Sequence, residues 1–288
     1  MLDPGTRVGR FRVLGELGRG GMGDVFEVED ETGARFAMKS PLRDVDRHGN
    51  VTRRFAREAN ALRMLDHPNL IAAIDVFVEA GQLFLVMEKV DGRPLSQAIA
   101  EGPLPPRTAL VFARQLLDGV AHAHAAGLVH RDLKPDNILL VARSGWEQIK
   151  IIDFGIVKLL GDAAAAFGAN ALTSTGIVVG TPAYMAPEQA LGRTIDGRAD
   201  VYAIGVILFE LLAGRLPFRD PDPLVMMRLH AKVSPPALRD VMRNAAWCTP
   251  QLVALVEGAL VKEPEDRFPS AVVMIAALDD AFASIDHL

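Results

Sequence analysis

The sequence predicts an α+β protein of two lobes: a small, mostly antiparallel sheet lobe with one main helix, then a larger, mainly helical lobe. Three observations predict it. Short β-type patterns crowd the stretch 11–90, one amphipathic pattern interrupts them, and from Pro94 onward the chain turns helical, with prolines at several helix starts.

The strand patterns fall at 11–17, 24–29, 35–40, 71–78 and 83–87, and turn residues such as Glu31-Thr32-Gly33 and Glu79-Ala80-Gly81 separate most of them. Over 53–65, Phe55, Glu58, Leu62 and Leu65 fall within about 80° of one another at about 100° per residue, so a carboxylate shares the apolar stripe. A hinge is expected over 88–92. Helices follow at 95–100, 106–126, 201–213, 223–232, 250–261 and 269–283. An irregular stretch, 129–155, and a Gly/Ala-rich loop, 161–176, divide the first helices from the rest, and no internal repeat is present.

At 288 residues and 31.1 kDa the chain suits one large domain or two small ones. Its 50% hydrophobic and 23% charged residues exclude a chain disordered throughout. With 31 basic and 36 acidic side chains the net charge is −5, so no overall positive field draws it to nucleic acid, which is not an expected partner. The lone Cys248 cannot form an internal disulfide, which agrees with a reducing compartment, and a cytoplasmic location is expected. The start, MLDPGTRVGRFRV, lacks the apolar region of a signal peptide. The longest apolar run, 201–209, is broken by Glu210, well short of the roughly 20 residues of a membrane span, and reads as a buried helix. Membrane tethering is expected only through segments beyond residue 288.

Gly18, Gly20 and Gly23 form GxGxxG in LGRGGMGDVF, a pattern that fits a dinucleotide fold or a loop covering a nucleotide. Context separates the two. Val25, Phe26 and Val28 continue as a strand rather than a helix, which gives a strand, glycine loop, strand arrangement whose N–H groups can close over phosphates. A Gly-rich hairpin without ligand is the plain alternative. Lys39, in FAMKS on the next strand, would by itself be a solvated edge residue. Glu58 on an inward stripe needs a cation, and Lys39 is the obvious one; a surface pair of Glu58 with Arg54 is the alternative.

The strongest segment is HRDLKPDNILL, 130–140, followed by IKIIDFG, 149–155. Asp132, Lys134, Asn137 and Asp153 cluster there between apolar runs, a poor place for unpaired charge without metal or phosphate. An Asn amide oxygen and a carboxylate suit Mg²⁺, which takes hard oxygen ligands. His122 and His124 precede this segment on a helix, where a core or surface role outweighs metal binding.

At these motifs the chain resembles the protein kinases, in particular the eukaryotic-like Ser/Thr kinases of bacteria, over 8–283. In order come the glycine loop, FAMK, Glu58, HRDLKPDN, the DFG triplet at 153–155, GTPAYMAPE at 180–188, ADVYAIG at 199–205 and Arg267 in EDRFPS. The resemblance implies one two-lobe kinase domain over 8–288, with a small lobe 8–88, a hinge 88–92 and a large lobe 93–285. It implies ATP as phosphoryl donor, Mg²⁺ or Mn²⁺ as metal, and proteins with Ser/Thr acceptors as substrates.

Carried over by position, Lys39 would hold the α- and β-phosphates and be positioned by Glu58, and Asp153 and Asn137 would bind the metal ions. Asp132 would accept the proton of the substrate hydroxyl, and Lys134 would neutralise charge on the transferring group. Adenine would bond to the backbone around Glu88 and Val90, with Met87 as gatekeeper and Val25, Ala37 and Leu139 also on the nucleotide. Lys134 together with Thr181 looks like the Ser/Thr branch; in the family the threonine bonds the catalytic Asp and Lys, Glu188 pairs with Arg267, and Asp200 caps the buried helix while bonding the HRD backbone. A stacked apolar spine of Leu62, Ile74, His130 and Phe154 would couple the Glu58 helix to the DFG segment.

Thr173 and Thr175 fall on the positions that relatives autophosphorylate, with Arg131 and Lys158 as phosphate partners and a homodimer for the reaction in trans. Lys89 departs from the Tyr or hydrophobe common in the hinge, and Trp146 is expected on the surface of a hairpin before DFG. A pseudokinase scaffold and an aminoglycoside-type small-molecule kinase are the rival readings.

Overall fold

A computed structural model describes residues 2–20, 23–40, 62–153, 182–243 and 245–286. Among these, residues up to Asp91 form one compact unit and those from Gly92 onward another.

The first unit is a six-stranded antiparallel sheet in the order β1-β2-β3-β4-β6-β5. Its strands are β1 (Arg7–Val8), β2 (Phe11–Gly20), β3 (Gly23–Glu29), β4 (Arg35–Ser40), β5 (Ala73–Glu79) and β6 (Gln82–Glu88). Alternation sorts their side chains: Phe11, Val13, Phe26, Val28, Met38, Phe84 and Val86 are buried in one cluster, with Phe36, Ile74 and Phe77 packed against it. Phe77 stacks on Phe84 at 5.5 Å and on Phe11 at 6.1 Å. The opposite face carries Val25, Glu27, Ala37, Lys39 and Met87, because Val25 pairs with Lys39, Glu27 with Ala37, and Ala37 in turn with Met87. The helix expected over 53–65 lies outside the described residues, Glu58 included, except for its end, where Leu62 and Leu65 are buried.

The second unit is mainly helical. Its longer helices are Pro106–Ala125, Arg198–Ala213, Pro223–Lys232, Pro250–Ala259 and Ala271–Asp286, and the short Leu95–Ala100, Pro187–Ala190 and Leu238–Val241 fill the connections. Helix Arg198–Ala213 is buried from Ala199 to Leu212, which explains why its sequence shows an apolar run without a helical period. Burying each such aliphatic side chain contributes about 1.5–3 kcal/mol. Helices Pro106–Ala125 and Pro250–Ala259 pack against it, and Ala271–Asp286 packs across both. Thr249 and Asp222 cap two of the proline-started helices through bonds from Leu252 N (3.3 Å) and Leu224 N (2.8 Å).

Within the stretch 129–155, the hairpin expected before DFG is formed by β8 (Ile138–Arg143) and β9 (Trp146–Ile151), joined through Gly145 at φ 87° and extended by β7 (Arg93–Pro94). Burial of Ile138, Leu140, Val141, Ile149 and Ile151 stabilises it, while Trp146 is exposed as expected. Among the described residues, no helix is long and apolar enough to cross a membrane.

Candidate active site

The HRD loop is built around one buried carboxylate. Asp200, in the first turn of helix Arg198–Ala213, is 1% exposed and accepts from His130 N at 2.8 Å, Arg131 N at 2.9 Å and the His124 ring Nε2 at 2.8 Å. Burial alone would raise its pKa, yet the hydrogen bonds from His124 and from the backbone N–H of His130 outweigh it and hold the carboxyl below the usual range. Asp200 does not cap its helix: the N-cap is Gly197, which makes no side-chain cap bond. Glycine is required there because a Cβ would stand 2.7 Å from His124 Nδ1.

Arg131 sits at φ 64°, in the left-handed region, with both backbone groups engaged. Its N–H is held by Asp200, and its carbonyl accepts from the Gln189 amide at 2.9 Å, while Gln189 Oε1 takes the Ala186 N–H at 3.0 Å. The His130 ring donates from Nε2 to the Ile152 carbonyl (3.1 Å) and accepts the Asp132 N–H on Nδ1 (3.3 Å), a tautomer that those partners dictate. Sequence reasoning missed His124 and Gln189. By sequence His124 has only a core or surface role on its helix, and nothing marks Gln189.

On this frame stand the predicted chemical groups. Asp132 is 7% exposed, with the Lys134 ammonium 3.6 Å from its Oδ2. Asn137, in the 3₁₀ turn Pro135–Asn137, donates its amide to the Asp132 carbonyl at 2.8 Å and lies 3.3 Å from Asp132 Oδ2. Its own carbonyl accepts the Ile152 N–H at 2.9 Å, which brings Asp153, next in the chain and at φ 61°, to the same end of the hairpin. Among the described residues, no group of three or more His, Cys, Asp or Glu could hold a metal by itself. The Asn137 amide oxygen and the Asp153 carboxylate are hard donors too few for a protein cage, and they fit Mg²⁺, whose remaining ligands are phosphate and water.

In the first unit, Gly18 pairs with Val25 and Gly20 with Gly23, so the glycine pattern closes a hairpin between β2 and β3, as expected. Lys39 is buried near the end of β4, on the face that carries Val25, Ala37 and the buried Met87. Glu88 ends β6 and Val90 follows it, while Leu139 lies on β8 in the second unit. Glu58, Phe154, Lys158, Thr173, Thr175 and Thr181 lie outside the described residues.

The predicted lobe-building pair is present. Arg267 donates to both carboxylate oxygens of Glu188 at 2.8 and 3.0 Å, and further to the carbonyls of Arg198, Val261 and Lys262, so both buried charges are satisfied. The Tyr184 hydroxyl donates to Glu210 at 2.6 Å; burial, then the adjacent carboxylate, raises its pKa.

The protein kinase domain family model matches residues 11–277. The chain is 41% identical over 285 residues to serine/threonine-protein kinase Pkn1 of Myxococcus xanthus, covering 98% of this chain and 40% of that protein. It is 36% identical over 284 residues to serine/threonine-protein kinase PrkC of Bacillus subtilis, covering 96% of this chain and 41% of that one. It therefore spans less than half the length of either relative. The solved kinase domain of Mycobacterium tuberculosis PknI superposes with a TM-score of 0.75 at 28% identity, covering 98% of this chain and 100% of that one.

Proposed function

This chain belongs to the protein kinase family, and we propose from that premise that it transfers the γ-phosphoryl of ATP to serine and threonine hydroxyls of proteins. The observation that carries the reading is the folded HRD loop, with Asp132, Lys134 and Asn137 in mutual contact and its backbone tied to Asp200.

Asp132 takes the hydroxyl proton as the acceptor oxygen bonds to the γ-phosphorus, the bond from that phosphorus to the β,γ-bridging oxygen breaks, and ADP leaves. Lys134, held beside Asp132, neutralises charge on the transferred group. Asn137 and Asp153 would hold Mg²⁺, or Mn²⁺ in its place. That ion, when bound, supplies charge neutralisation along the phosphates. Lys39 holds the α- and β-phosphates with Glu58 as its partner, Gly18, Gly20 and Gly23 cover them, and adenine meets the backbone at Glu88 and Val90 beside Met87, Val25, Ala37 and Leu139. Because the transition state is loose, rate acceleration rests on positioning and electrostatics.

Lys134 and Thr181 favour Ser/Thr over Tyr acceptors. Thr173 and Thr175 are the autophosphorylation sites, modified in trans within a homodimer, and the location is the cytoplasm. Labelled ATP offered with a generic protein substrate and, separately, an aminoglycoside tests the reading. Label on protein Ser/Thr supports it; label on the aminoglycoside, or none anywhere, refutes it.

A further inference from the structure

Strand β6 stops pairing with β4 at Glu88, opposite Phe36, so Lys89 and Val90 leave the sheet with no ladder to hold them. Side chains take over on two sides. The Glu88 carboxylate accepts the Ala72 N–H at 2.9 Å, and Glu88 N donates to the Ala72 carbonyl at 3.0 Å. Toward the other side, the Lys89 ammonium reaches Glu27 on β3 at 3.1 Å. Glu27 is the strand neighbour, two residues on, of Val25, and it pairs with Ala37, so it stands on the face proposed above to hold the nucleotide. The side chains of Glu27 and Lys89 are only 19% and 29% exposed, which is drier than an ordinary surface pair. The Lys89 hydrogen bond outweighs the opposing effect of burial and, with Arg35, holds the Glu27 carboxyl below its usual range.

We propose that Lys89 and Glu27 form a clasp that fixes the hinge backbone against strand β3 and thereby sets the affinity for the adenine end of ATP, which makes both of them positioning residues rather than catalytic ones. The inference rests on the kinase reading above. A hinge tied to its neighbouring strand loses less freedom when adenine bonds to its backbone, so the clasp acts on binding and leaves phosphoryl transfer alone.

Arg35 supplies the control, since it reaches the same Glu27 oxygen at 3.2 Å from β4 rather than from the hinge. ATP KM and kcat, together with calorimetric ATP binding, are to be measured for the unmodified chain and for Lys89→Ala, Lys89→Arg and Arg35→Ala. Lys89→Ala should raise both KM and Kd for ATP about two- to fivefold, the scale of one partly screened ion pair, with kcat within about twofold. Lys89→Arg should restore both constants, and Arg35→Ala should leave them unchanged. Raising the salt concentration should bring the unmodified KM toward that of Lys89→Ala. Equal KM and Kd in Lys89→Ala and the unmodified chain overturn the clasp, as does an equal loss in Arg35→Ala. If the unmodified chain shows no saturable ATP binding, the kinase reading itself falls and the clasp with it.

Discussion

The side-chain amide of Asn137 donates to the backbone carbonyl of Asp132 at 2.8 Å, and so one residue both braces the loop and turns its amide oxygen away from it. Two acceptors of Asp132 face the same nitrogen, which fixes the orientation of the amide. Asn137→Asp should therefore fail despite keeping a metal-binding oxygen, because a carboxylate would confront the Asp132 carbonyl and carboxylate. We expect kcat to fall about 10²-fold or more, with no recovery at raised Mg²⁺. Recovery in a Mg²⁺ titration would mean that Asn137 acts as a ligand alone.

His124→Ala takes a donor from the buried Asp200 carboxylate, a loss on the scale of about 1–3 kcal/mol. The HRD loop should loosen, with kcat down about tenfold and substrate KM little changed. His124→Gln, which can still donate, should recover part of the loss. Gly197→Ala should resemble His124→Ala, since its methyl would stand 2.7 Å from His124 Nδ1. Wild-type kcat in both His124→Ala and Gly197→Ala would show that the Asp200 contact is idle.

His230 is fully buried, with its Nδ1 2.9 Å from the Tyr202 hydroxyl, and burial, aided by the Lys262 charge, pushes its imidazole down to about 3 from 6.5. Between those values the unfolded chain binds a proton that the native state does not, so stability is full above pH 6.5 and falls as the pH drops toward 3. At pH 5 this group should cost about 2 kcal/mol relative to pH 7. His230→Phe should flatten that part of the slope, measured as urea midpoints at the two pH values. An undiminished slope in the variant would assign the acid loss to other groups.

The chemistry of this chain was legible where it is local. HRDLKPDN and the strand carrying Lys39 announce themselves over a few residues, because the groups proposed to handle phosphate lie on one tight loop and one strand. The contacts that hold those groups were not legible. His124 meets Asp200 across 76 residues, Gln189 meets Arg131 across 58, and Lys89 meets Glu27 through a strand register that no short window encodes. Helix Arg198–Ala213 was placed three residues late, because Arg198, Ala199 and Asp200 carry no apolar run and Asp200 turns its carboxylate to the HRD loop instead of capping. The hairpin before DFG was legible at its turn, around Trp146, but not along its strands, although Ile138, Leu140, Ile149 and Ile151 alternate as a buried strand pair should.

In the proposed reaction Asp132 accepts the proton of a protein Ser/Thr hydroxyl during transfer from ATP. Single-turnover transfer of labelled γ-phosphoryl to a protein substrate, compared between the unmodified chain and Asp132→Asn, isolates that step. Asp132→Asn keeps the shape of the side chain and removes the base, so ATP binding should persist while the transfer rate falls about 10²-fold or more. Transfer at the unmodified rate by Asp132→Asn would show that Asp132 is not the base.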